Sequence, residues 1–246
     1  MPLAFASDSH PDFAISQIND KMISFDDQPV NRWLSCADST EVFAGILFGD
    51  AGNLTKRMVD NLQVAFYEDI ATRLPEDYVL EYYVGSQVPT LPKNPSFIEK
   101  EDHVFNDEEN WRAVEHLQAP NQLQPGQMNV FSFARVSTFS LRLRMKKTAD
   151  QTSVGITELQ IFSKQVLAKE QSEIKICVND QELADFNPAQ TDYYLPQTNE
   201  EPVVTASTSL YGLATIVPRV NEDKPARIIH KAENGEMLQE YRLHFN

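Results

Sequence analysis

Alternation of apolar and polar residues with a period of two recurs through this chain and restricts its fold more than any other feature. In NLQVAFY (Asn61 to Tyr67), Leu62, Val64 and Phe66 alternate with Gln63, Ala65 and Tyr67. In SLRLRM (Ser140 to Met145), Leu141, Leu143 and Met145 alternate with Arg142 and Arg144. Successive strand side chains point to opposite faces, so each run reads as a strand with one face in a core and the other wet. YVLEYYV (Tyr78 to Val84) and TELQIF (Thr157 to Phe162) add aromatic and β-branched strand formers. EENWRAVEHLQ (Glu108 to Gln118) fits a helix or a short strand around Trp111 to Val114, and the strand is preferred. Pro75, Pro89, Pro92, Pro95, Pro120 and Pro125 punctuate the connections, where central strands exclude proline. The fold class is all-β, and many short strands with turn-rich connections mean an antiparallel sandwich or barrel.

The chain divides. After Lys164 a polar stretch, KQVLAKEQS, carries no strand pattern, and a second strand series then begins. EIKICVN, TDYYLP, PVVTAST, LATIVPRV, ARIIHKAENG and EMLQEYRLHF follow one another, with Asn234-Gly235 as a hairpin turn between the last two. Residues 1–168 form the first expected domain and 169–246 a smaller sandwich, with the boundary near 166–172. The long polar insertion QVPTLPKNPSFIEKEDHVFNDEEN (Gln87 to Asn110) is of a length often tied to function.

With 21 Lys and Arg against 36 Asp and Glu, the chain carries a formal charge of −15, which repels nucleic-acid phosphates and anionic membrane surfaces. No apolar run approaches the roughly 20 residues of a membrane span. The N-terminus MPLAFASDSH has neither the basic nor the apolar region of a signal peptide, and the chain reads as a segment of a longer protein. Cys36 and Cys177 read as two unpaired thiols in separate domains. There is no GxSxG, P-loop, GxGxxG or HExxH pattern, and the five histidines lie scattered. Nothing points to catalysis.

INDKMISFDDQPVNRW (Ile18 to Trp33) places Asn19, Asp20, Asp26, Asp27 and Asn31 in one irregular loop. Hard oxygen donors on a loop suit calcium; the plainer reading is a solvated turn with Asx hydrogen bonds. That loop, then VFAGILFGD, RLPEDYVLEYYV, the Trp111 run, FSFARVSTFSLRLRM and VGITELQIF stand in an order that resembles the discoidin or coagulation-factor type C domain. This is the galactose-binding-like jelly roll that includes carbohydrate-binding module family 32. The likeness spans roughly residues 5 to 165 and is nearest to the variant appended to bacterial glycoside hydrolases of the family 2 β-galactosidase kind. Tyr67-Glu68-Asp69 and Leu74-Pro75…Tyr78 match its middle. The second half resembles a bacterial Ig-like or cadherin-like sandwich, through Phe186…Pro188…Thr191…Tyr193 and Ala232-Glu233-Asn234-Gly235…Tyr241.

The resemblance implies a structural calcium site where the ends of the jelly roll meet. It is carried by Asp20 and by Glu158 of the closing strand, with Asp26 and Asp27 as helpers. Lys21 stands where the family has glycine. It also implies a sugar site on the loops, with Tyr67, Asp69, Arg73, His103 and Phe25 as candidates. A flat aromatic would cover the apolar face of a pyranose and polar groups would read its hydroxyls. Each candidate has an ordinary alternative: Tyr67 covering a sheet, Arg73 in a surface ion pair, His103 solvated. Trp33 and Trp111 read as core. The expected partner is a galactose- or arabinose-type glycan, or the parent's catalytic domain, in an extracellular or cell-surface protein. A cell-surface adhesin fragment is the alternative.

Overall fold

The structure, a computed structural model, describes residues 3–26, 29–50, 52–148, 152–163, 173–197, 201–209 and 212–246. The chain forms two compact units. Met1–Asp20 with Arg32–Ile161 makes the first, and Lys21–Asn31 with Phe162–Asn246 makes the second. The division thus differs from a single cut after residue 168, which itself lies outside the described residues.

The first unit contains β1 (Leu3–Ala6), β2 (Trp33–Leu34), β3 (Glu41–Leu47), the short pair β4 (Gly49–Asp50) and β5 (Asn53–Leu54), and β6 (Arg57–Tyr67). It continues through β7 (Asp77–Tyr83), helix α1 (His103–Asn106), β8 (Trp111–Ala113), β9 (Met128–Thr138), β10 (Ser140–Lys146) and β11 (Gly155–Phe162). Trp111 to Ala113 is a strand, as its apolar-polar pattern favours. Two main sheets face each other, in the orders β1-β3-β10-β7-β8 and β2-β11-β6-β9. The apolar halves of the alternating runs meet between them: Leu62, Val64 and Phe66 from one sheet, Leu141, Leu143 and Met145 from the other, with Trp33 fully buried among them. Each such side chain contributes about 1.5–3 kcal/mol by leaving water. This is the all-β jelly-roll sandwich expected.

The other halves are largely buried, contrary to the alternation. Gln63, Ala65 and Tyr67 are buried, and so is Arg142. Arg142 sits beneath the insertion after β7, where Phe105, Ile98 and Trp111 pack with Phe5, Phe43 and Tyr83 into a second core. Its Nε donates to Glu81 Oε2 at 2.7 Å and an NH group to the Phe105 carbonyl, while its guanidinium lies 4.2 Å from the Trp111 ring centroid. Alternation names the two faces of a strand but not what covers them, and a charged side chain is buried readily once paired and hydrogen-bonded.

The second unit contains β12 (Ile174–Val178), β13 (Gln181–Glu182), β14 (Asp192–Leu195), β15 (Val204–Thr208), β16 (Leu213–Val217), β17 (Ala226–Lys231) and β18 (Met237–Phe245). They form sheets in the orders β13-β12-β15 and β14-β18-β17-β16 around a core of its own. All six expected runs are strands. The hairpin turns at Asn234-Gly235, with Gly235 at φ 79°. Phe186 stacks on Tyr193 and touches Tyr241, so the three motif aromatics meet. Met22 adds a parallel bridge to Ile216. Cys36 and Cys177 are free thiols.

Candidate functional site

The segment after β6 holds the densest set of expected ligand residues. Tyr67 ends that strand and is 6% exposed. The Arg32 guanidinium, one residue before β2, lies 3.9 Å from its ring centroid and 5.2 Å from that of Phe13. A cation over an aromatic face is stabilised by the ring quadrupole. Tyr67 therefore offers no open ring to a sugar, which corrects its expected stacking role; it is a support. Arg32 was missed as a participant, and its signal was the Asn-Arg-Trp triplet at the end of the acidic loop.

Asp69 organises the turn that follows. Its Oδ1 accepts the Ala71 and Thr72 N–H groups at 2.9 and 2.7 Å, and its Oδ2 accepts the Tyr67 hydroxyl at 3.1 Å. This is an Asx turn. Burial pushes the Asp69 carboxyl up, but the bonds from Thr72, Ala71 and Tyr67 together outweigh it and hold the group below the usual carboxylate range. The turn is anchored from outside as well. Ser153 donates its N–H to Ala71 O at 2.9 Å, and Arg73 donates its own to Ser153 O at 2.8 Å. Gly155 explains itself here. A Cβ on it would lie 2.8 Å from Thr72 Cγ2, 2.9 Å from Leu34 Cδ2 and 3.2 Å from Tyr67 Cβ. The glycine permits close approach, which is one established use of glycine in a strand.

What this fixed turn presents to solvent is Ile70, 92% exposed, and the Arg73 side chain. Among the described residues the Arg73 side chain has no hydrogen bond or ion pair, so the surface salt bridge considered for it is absent there. Two sugar candidates remain. His103 is exposed on α1, with Nδ1 3.3 Å from Asp107 Oδ1, in the insertion over the other sheet. Phe25 is half-buried and belongs to the second unit. Within the first unit the structure thus brings together Tyr67, Asp69 and Arg73 and leaves out His103.

The calcium candidates divide similarly. Asp20 is exposed at the end of a short 3-10 turn, and Asp26 is exposed in the second unit. Asp27 lies outside the described residues. Glu158 is 2% exposed in β11, and its Oε1 accepts Gln160 Nε2 at 3.3 Å. Lys21 has φ 70°, so it keeps the left-handed backbone that a glycine would adopt without strain. No group of three or more His, Cys, Asp or Glu side chains able to hold a metal gathers among the described residues. Two carboxylates alone fall short of the six to eight oxygen ligands that a calcium ion takes.

Comparison with known proteins identifies the first unit. Residues 4–159 match the family described as BgaA-like CBM, "Beta-galactosidase-like, Galactose-binding domain". A solved structure from the Streptococcus pneumoniae β-galactosidase BgaA is 54% identical, covering 67% of this chain and 93% of its own, with a TM-score of 0.64. Lesser likenesses include a Clostridium perfringens CBM32 module solved with GalNAc-β-1,3-galactose, at 12% identity, 66% and 95% coverage and a TM-score of 0.43. Another is a Paenibacillus sp. IK-5 chitosan-binding module solved with chitotriose, at 11% identity, 66% and 96% coverage and a TM-score of 0.43. No curated protein matches. The chain belongs to the β-galactosidase-like galactose-binding domain family, its first unit being a carbohydrate-binding module with an accessory, non-catalytic role.

Proposed function

We propose that the first unit binds a galactose-type sugar at the Asp69–Arg73 turn, holding a β-galactosidase against its glycan, and that the second unit is an Ig-like spacer. The observation that carries this reading is the Arg73 guanidinium. It is exposed, has no side-chain partner among the described residues, and rises from a turn whose backbone is fixed by Asp69 within and by Ser153 without. Ordering a ligand-binding group before the ligand arrives removes part of the entropic cost of association. A guanidinium fork reads two neighbouring hydroxyls at once. Ile70 beside it supplies apolar surface for a ring face. A structural calcium ion held by Asp20 and Glu158 is a further part of the proposal.

The test is titration calorimetry of the full chain with galactosides and arabinosides. Galactosides are expected to bind in preference. Arg73→Ala is expected to weaken them about ten- to a hundredfold, the range for a lost hydrogen bond to a charged group, with unchanged melting. Full affinity in that variant would remove the turn from the site. No binding to any galactoside or arabinoside would leave packing against the parent's catalytic domain as the module's role.

A further inference from the structure

Lys147 follows β10 and is 6% exposed, so its ammonium has left water. Nζ donates to three backbone carbonyls, Cys36 O at 2.9 Å, Ala37 O at 2.6 Å and Thr152 O at 2.9 Å. An ammonium has three donors and no acceptor, so each of these carbonyls can take one of its protons. Without such partners a buried ammonium is costly enough to lose its proton. A ring of carbonyl oxygens replacing a hydration shell is also how proteins hold a potassium ion.

The carbonyls come from two segments, one following β2 and one preceding β11. The same segments are joined by Ser35 N–H to Val154 O at 3.0 Å and by Val154 N–H to Ser35 Oγ at 3.0 Å. Thr152 is followed by Ser153, the residue whose N–H and carbonyl hold Ala71 and Arg73. On the other side of Lys147, Thr148 Oγ1 donates to Leu74 O at 2.6 Å. The ammonium therefore fixes the strand entrance on which the Asp69–Arg73 turn is mounted.

We infer that the Lys147 ammonium is a built-in cation. It occupies a carbonyl cage sized for a monovalent ion such as ammonium or potassium, and it is a positioning residue for the ligand turn. The link to ligand rests on the proposed sugar site; the cage does not.

The test uses the full chain and two variants. Lys147→Ala opens the cage, and Lys147→Met removes the charge but keeps the stem. Melting is followed in chloride salts of ammonium, potassium and tetramethylammonium at equal ionic strength. Both variants are expected to melt below the parent. Ammonium and potassium, but not tetramethylammonium, are expected to restore Lys147→Ala and to leave Lys147→Met unrestored. Hydrogen exchange at the Arg73 amide is expected to quicken in Lys147→Ala and to slow again with ammonium. Galactoside affinity is expected to fall roughly tenfold and return with ammonium, whereas Arg73→Ala stays weak in every salt. Equal melting of Lys147→Ala in all three salts, or failure to fold in ammonium, overturns the cage. Unchanged Arg73 exchange overturns the positioning role, whether or not sugar binds. A parent chain that binds no galactoside sinks the sugar site alone.

Discussion

Glu81→Leu is expected to destabilise the first unit more than any other single change in the ion network beneath the insertion, and a second mutation should partly repair it. Glu81 holds two arginines. Its Oε2 takes Arg142 Nε at 2.7 Å and its Oε1 takes an Arg144 NH group at 3.1 Å. The Arg142 side chain is 4% exposed, and that of Arg144 is 32% exposed, with a second partner in Glu41 at 2.9 Å. Removing Glu81 strands a buried guanidinium beside another cation, which costs about 3–5 kcal/mol. Arg142→Met leaves Glu81 still paired to Arg144 and lets the methionine stem keep the contact with Trp111. It loses the donor to the Phe105 carbonyl and the one to Glu81 Oε2, but Glu81 keeps a cation through Oε1, so the cost stays below that of a stranded charge, at about 1–3 kcal/mol. The double variant removes the buried pair, and such replacements are often neutral or better. It should therefore be more stable than Glu81→Leu alone. Both tryptophans of the chain, Trp33 and Trp111, lie in the first unit, so tryptophan fluorescence during thermal unfolding reports that unit. At about 2–4 °C per kcal/mol for a domain of this size, Glu81→Leu should lower Tm by roughly 6–20 °C. A smaller loss than for Arg142→Met, or a double variant less stable than Glu81→Leu, would refute the reasoning.

Two further outcomes follow. Gly155→Ala saves at most about 1 kcal/mol of unfolded-state entropy but forces its Cβ against Thr72, Leu34 and Tyr67 at 2.8–3.2 Å, an overpacking cost of about 1–3 kcal/mol. It should lower Tm by a few degrees; an equal or higher Tm would show that the turn shifts freely. If calcium is held by Asp20 and Glu158, added calcium should raise the parent's Tm, while Glu158→Gln should melt lower and show no calcium response. Melting indifferent to both ion and mutation sinks the calcium site.

How much was legible depended on the kind of atom involved. The core faces of β6 and β10 could be read because apolar side chains at alternate positions have only one place to go. The same runs misled about Arg142, since the cover comes from an insertion whose path across the sheet no local pattern records. Asp69 was legible only as a polar sugar candidate, not as the builder of a turn, and His103 rides on the same insertion over the other sheet, whose path no local pattern records. Lys21 broke the expected Asp-Gly pair, yet it sits at φ 70°, a conformation that L-residues other than Asn and Asp adopt at a cost of about 1–2 kcal/mol.

Lys147 marks where such reading ends. Three of its partners are main-chain carbonyls, which every residue has, so no choice of side chain at Cys36, Ala37 or Thr152 announces them. A cation held by carboxylates leaves acidic residues to count, and the acidic loop drew attention for that reason. A cation held by carbonyls leaves only a lysine that looks like any surface lysine until its burial is known. The residue in the first unit with the clearest claim to a cation's role was thus among the least visible, and the acidic residues that were most visible gather into no side-chain group of three among the described residues.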